Sequence, residues 1–370
     1  ETRAPCLSCS THGRPRWESD SPRPGYSINI NHRYVKEAWS IQEESDMGSG
    51  MFIHEGVLIY TNTAGEIKAA NSADGQTIWI FNTGGKIYST PTVYKNKVWC
   101  ASSDSYLYGL DVRNGKQLFK LKNNKPAVSS AACADNMVMI AGGDGCCRAW
   151  DVNTGKLRWK FDSVENFVVT RPQIIEGLLF FGSWGNEFYA IDIKTGNSRW
   201  IWNNGHTNRM LSPAQVVPVI THGRIYLASP DRFMTVLAEK TGEVIWRYND
   251  PEQRVRESIG ISEDGNTVYA KTMDGNIIAI DATVPERRVK WVSSGEDMGY
   301  ELTPTPVVEK NGVVYAPTDK GLIYAYRASD GTFLWKYRIS SGLINMILPT
   351  EKGELYVSSM DGKLVKLTVL

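Results

Sequence analysis

Ala190-Ile191-Asp192-Ile193-Lys194-Thr195-Gly196-Asn197-Ser198-Arg199-Trp200 reads as a strand end, a tight turn and the start of a second strand. Thr-Gly between two β-rich runs needs a residue at positive φ, which glycine adopts without a steric penalty. The aromatic four residues after the glycine then falls within the following strand. The same phrase recurs along the chain as Gly75/Trp79, Gly115/Phe119, Gly155/Trp159, Gly196/Trp200, Gly242/Trp246 and Gly331/Trp335. Trp291 keeps the lattice although Pro285 stands near where the turn glycine would be. Counted from Trp39, successive aromatics are 40, 40, 40, 41, 46, 45 and 44 residues apart. A period of this length marks a repeat architecture.

Each period has one grammar. In the second, Ser89–Tyr94, Val98–Ala101, Leu107–Asp111 and Gln117–Lys120 are short β-branched or aromatic runs parted by Gly, Asn and Asp turns. Four such runs predict an up-and-down antiparallel sheet, and helical periodicity is missing. A four-stranded sheet every 40 to 46 residues predicts a propeller blade. The Trp comb is expected to be structural, each ring covering the gap to the next sheet rather than stacking a ligand. Seven outer strands run from Trp79 to Trp335, after which three strands remain before the chain ends. Val35–Ile41, carrying Trp39, supplies the missing one. The expectation is an all-β, eight-bladed β-propeller whose last blade is closed by the N-terminal strand. Residues 33–370 form it, after an irregular tail or linker over 1–32.

Composition fits this reading. The 370 residues are 42% apolar and 22% charged, enough for a large core and against disorder. No apolar run is long enough to cross a bilayer as a helix. With 41 basic and 40 acidic residues the net charge is +1, which argues against a nucleic-acid partner. Six cysteines are too few for a disulfide framework. Cys100 and Cys133, inside apolar runs, are expected to be reduced and buried. Cys6 and Cys9 have metal-like spacing but no second pair, so no metal site is expected. The chain begins at Glu1, so any targeting signal is expected to have been removed.

The Ala-Ile-Asp-x-x-Thr-Gly-x-x-x-Trp phrase, repeated as Ala149-Trp150-Asp151…Thr154-Gly155…Trp159, resembles the PQQ-like (quinoprotein-type) β-propeller repeat over residues 33–370. That family holds large quinone-dependent dehydrogenases and smaller cofactor-free propellers of the BamB-like, outer-membrane-assembly type. Length and blade number resemble the second group. The resemblance implies a non-catalytic binding or scaffold module without a cofactor. It also implies a monomer in the periplasm, at the outer membrane or outside the cell. The adjacent Cys146 and Cys147 evoke the vicinal disulfide of the dehydrogenases. They fall in a third strand with side chains on opposite faces, though, and the chain is shorter than those enzymes.

Candidate ligand-binding residues come from departures from the repeat. Inner strands place Ser49, Thr90, Ser130, Ser212, Ser258 and Thr305 near the axis, whereas the fourth blade offers Arg171, which must find an anion. The longer spacings put extra residues into Asn203–Met210, Asn249–Glu257 and Ser294–Glu301. These carry His206, Asn208, Arg209, Arg254, Arg256, Glu257, Asp297, Tyr300 and Glu301, with Trp184 and Arg232 in adjoining loops. The expectation is a polar, partly cationic patch at one channel mouth that recognises a protein or an anionic carbohydrate. One alternative is a polysaccharide lyase or glycosidase using His206, Tyr300, Glu301 and Arg171. Another is the C-terminal propeller of a larger calcineurin-like phosphoesterase, from a faint likeness of Cys9–Gly13, with His12, to its metal motif. No catalytic residue is assigned.

Overall fold

A computed structural model of the chain describes residues 34–370. Among them, eight four-stranded antiparallel sheets are arranged as blades. Blades 1 to 7 follow the chain, each running from inner to outer strand. Blade 4, for example, is Gln173–Ile175, Leu178–Gly182, Glu187–Asp192 and Ser198–Asn203. Blade 8 takes three strands from the C-terminal end and its outer strand, Val35–Gln42, from the N-terminal end. Val35 pairs with Val369 and Gln42 with Lys363, and Trp39 stands opposite Lys366. The Trp39 ring meets Tyr356 edge-on at 6.0 Å. The expected closure is therefore present. The tail with Cys6, Cys9 and His12 lies outside the described residues.

The repeat motif has a double task. Six of the eight outer-strand aromatics, Trp39, Trp79, Phe119, Trp159, Trp200 and Trp291, lean onto the Gly turn of the following blade, where a Cβ on the glycine would crowd the ring. Such a Cβ would stand 2.6 Å from the Trp159 ring at Gly196 and 2.5 Å from the Trp200 ring at Gly242. The glycine is needed for its φ, +75° at Gly196, and for the missing side chain. The indole N–H then donates into the next blade: Trp79 to the Val112 carbonyl at 2.9 Å, Trp159 to Ile193 at 2.7 Å and Trp200 to Glu239 at 3.0 Å. Trp39 does the same to Ser72 of blade 1 at 3.2 Å, so the closing strand is clasped on both sides. The motif aspartate folds the turn. The Asp151 carboxylate accepts from the Asn153 and Thr154 N–H groups, which hold its pKa below the usual range.

A second feature accommodates the ring. In blades 1 to 7 the third-strand residue opposite the aromatic is Ala69, Gly109, Ala149, Ala190, Val236, Ala279 or Ala325, all small except Val236. A register shift follows at once in every one of these pairs. The core is consequently divided into layers between neighbouring blades. One layer joins blades 1 and 2 through Ile59, Trp79, Cys100 and Leu110, and another joins blades 8 and 1 through Met47, Tyr60, Tyr356 and Leu364.

Candidate functional site

The connections from outer to inner strands and those from second to third strands emerge on one face. All the lengthened loops lie there. Between blades 4 and 5, Asn208 caps a single 3-10 turn, Arg209–Leu211, by accepting from the Met210 N–H at 3.0 Å. Arg209 and Met210 are exposed, Met210 at 60%. The Asn186 amide donates to the His206 carbonyl at 2.8 Å, and His206 Nε2 stands 3.6 Å from Asp231. Asp231 is already paired with Arg247 at 2.6 Å, whose guanidinium lies over Phe233 at 4.3 Å. Trp184 packs on Phe167 at 5.8 Å and is part of the wall.

The patch continues across blades 5 to 7. Arg232 is exposed at φ +68°. Arg254 is hydrogen-bonded to Asp274, and the guanidinium holds that carboxyl below the usual carboxylate range. Tyr300 is 58% exposed, and its backbone carbonyl accepts from Lys320 at 3.0 Å. The expected mouth residues thus form a band in which Arg209, Arg232 and Tyr300 reach solvent.

Glu257 and Glu301 do not join that surface. Glu301 is buried between Lys271 at 3.5 Å, Lys320 at 3.7 Å and the Asp319 N–H at 3.0 Å. Lys271 also donates to the Pro317 carbonyl at 2.7 Å, and Arg256 approaches Glu257 at 2.7 Å. Burial raises the pKa of both glutamates and lowers that of Lys271. The cluster fastens blade 6 to blade 7 beneath the loops.

Along the axis the inner strands enclose a channel of about 800 Å³. Strand register corrects the expected ring of small residues. Two positions before the inner-strand residue in register with the outer-strand aromatic (Phe52, Thr92, Ala132, Gln173, Val219, Gly260, Val308 and Leu348) stand Gly50, Thr90, Ser130, Arg171, Val217, Ser258, Pro306 and Met346. Ser49 and Thr305 fall one residue early, and Ser212 five, because extra residues precede the inner strand of blade 5. Where the hydroxyls are kept they link blades: Gly50 N–H donates to Thr90 Oγ1 at 3.0 Å, and Thr90 N–H to Ser130 Oγ at 2.9 Å. Arg171 interrupts the series and lines the channel; the other expected site residues lie outside it.

The family model described as outer membrane protein assembly factor BamB matches residues 10–132, 127–208, 201–288 and 283–370. The chain belongs to this family. A BamB of Yersinia pestis is 23% identical over 349 residues, which is 85% of this chain and 82% of that protein. The BamB structure from Moraxella catarrhalis superposes with a TM-score of 0.74 at 15% identity, covering 90% of this chain and 97% of that one. The quinohemoprotein alcohol dehydrogenase of Comamonas testosteroni has a TM-score of 0.70 at 13% identity, covering 91% and 77%, a likeness of fold alone. Cys146 and Cys147 are both free and buried in this BamB-family chain. Sequence reasoning missed the Lys271–Glu301 cluster. Its only signal was a lysine directly after the apolar run Val268–Ala270 within the strand Thr267–Thr272.

Proposed function

We propose that this chain is a non-catalytic scaffold in outer-membrane protein assembly, at the periplasmic side of that membrane, which docks a protein partner on the long-loop face of blades 4 to 7. Family membership supports the assembly role. The observation that carries the docking face is its solvent-exposed set of Arg209, Met210, Arg232 and Tyr300, residue types enriched at protein interfaces. Neither Arg209 nor Arg232 forms an ion pair among the described residues, although Arg232 lies near enough to Asp274 to help lower its pKa. Their exposed charge favours a partner with an acidic surface, and attraction of that kind acts mainly on association rate. An anionic carbohydrate is the competing ligand for the same cations.

The test is complementation in a bacterium lacking its own assembly factor. The chain is expected to restore outer-membrane protein levels, and Arg209→Glu/Arg232→Glu/Tyr300→Ala to fail while keeping its thermal stability. Lys352→Glu, on the opposite face, is expected to complement fully. Full rescue by the triple variant would refute the docking face. The lyase or glycosidase reading has less support, because His206 faces an aspartate that Arg247 already occupies.

A further inference from the structure

The axial channel runs from Gly48, Tyr88 and Val128 at one mouth to Tyr94, Cys133 and Ile174 at the other. Its walls are mainly apolar, with Val169, Val217, Val308 and Met346 facing in, and Arg171 is the only formally charged side chain among the lining residues. No described residue donates to, accepts from or forms an ion pair with its guanidinium. The Gln173 amide is spent on the Arg171 carbonyl at 3.3 Å. The one interacting group is the Cys133 thiol, which burial pushes up to about 12, so it stays neutral and leaves the positive charge uncompensated. Burial also pulls Arg171 below the ordinary arginine value. Arg171 is half-buried and faces the channel. Arginine remains charged at any physiological pH, and a partly desolvated charge without a counter-ion is unfavourable. The other departures from the hydroxyl ring (Gly50, Val217, Pro306 and Met346) carry no charged side chain to offset the cation.

We propose that the axial channel is a binding site for a monocarboxylate carried on an apolar stem, with Arg171 as its clamp. The planar guanidinium fork matches a carboxylate with two parallel N–H···O bonds. One negative charge cancels the single positive charge, whereas a dianion would leave an excess charge between apolar walls. The valine and methionine walls take the hydrocarbon stem. A fatty acid and the C-terminus of a peptide ending in an apolar residue share this chemistry. The site is independent of docking on the outer loops.

Calorimetric titration of the full chain with hexanoate and with acetyl-phenylalanine tests it, using hexanamide and dianionic phosphate as controls. Saturable binding of at least one carboxylate below about 10 mM is expected, and the tighter of the two identifies the source. Arg171→Met is expected to weaken it at least about tenfold, and Arg171→Lys by less. Absence of carboxylate binding, equal binding of hexanamide, tighter binding of phosphate, or an unaltered Arg171→Met variant would each overturn the assignment. Hexanoate binding should persist in Arg209→Glu/Arg232→Glu/Tyr300→Ala, so the outcome is separable from that of complementation.

Discussion

Gly242 sits at φ +73° beneath Trp200, whereas Gly223 sits at φ +69° with nothing within 4 Å of where its Cβ would be. The two glycines separate backbone strain from ring contact. Gly223→Ala is expected to cost about 1 kcal/mol from the left-handed backbone alone. Gly242→Ala carries the same strain and must also push an indole away, adding roughly 1–3 kcal/mol of overpacking. Equilibrium urea unfolding of both variants checks this, and equal losses would show that the ring yields without cost. At the same scale, Asp192 and its equivalents act as turn builders. The Asp192 side chain accepts from the Lys194 and Thr195 N–H groups and pairs with Arg199 at 2.9 Å.

Between elements, the buried charges of blades 6 and 7 decide how two neighbouring sheets are held. Just above pH 7, where the Glu301 carboxyl is ionised and pairs with Lys271, Glu301→Gln would leave Lys271 charged, buried and short of its partner. A loss of about 3–5 kcal/mol is expected, much of it recovered in Lys271→Met/Glu301→Gln, as denaturant midpoints would show. The same cluster has a pH signature. Burial pushes Glu301 up to about 7, above the range in which an unfolded chain releases its proton, and raises Glu257 as well. The folded state therefore binds more protons than the unfolded one from roughly pH 4.5 to 7. Stability supplied by the protonated carboxyl is full below that window and declines as pH rises through it. Aspartates such as Asp151 and Asp274, held low by hydrogen bonds, act in the opposite sense at lower pH. A melting-temperature series should show the double variant with a shallower decline than the parent between those limits; identical slopes would contradict the assignment.

For the whole molecule, ring closure dominates. The chain ends exchange the Val35–Val369 to Gln42–Lys363 ladder, and Gln42 reaches the Asp361 carbonyl at 2.8 Å. Glu43, just past the strand, binds blade 1 through Tyr60 at 2.9 Å, Asn62 at 3.0 Å and Lys68 at 2.7 Å. Removing residues 1–42 would expose an edge of blade 8 and the layer shared with blade 1. The truncated protein is expected to melt at least about 10 °C lower, or over a broader, less cooperative range, by calorimetry. Trp39→Ala alone should cost about 3–5 kcal/mol. A truncated chain melting like the parent would mean that the ring does not depend on its clasp.

Blade number, the closing strand and the structural role of the Trp comb were all legible along the chain. Each depends on local turn chemistry repeated at a fixed interval, and a repeat places its own copies. The loop face was legible too, since insertions into one kind of connection must emerge together. The axial ring was misread at Ser212, because extra residues precede the inner strand of blade 5, whereas Ser49 and Thr305, one position out of register, still line the channel. Inner strands of three residues carry too little pattern to set their register. Whether a charge is exposed or enclosed was also hidden: Glu301 and Tyr300 are adjacent in sequence, yet one is sealed against Lys271 and the other open to water. Sequence by itself determined the repeating sheet and its closure, because hydrogen-bonded turns and strand alternation act over a few residues. Only the tertiary structure decided which charges are neutralised and that Arg171 is not, because charge compensation depends on neighbours that come together from separate blades.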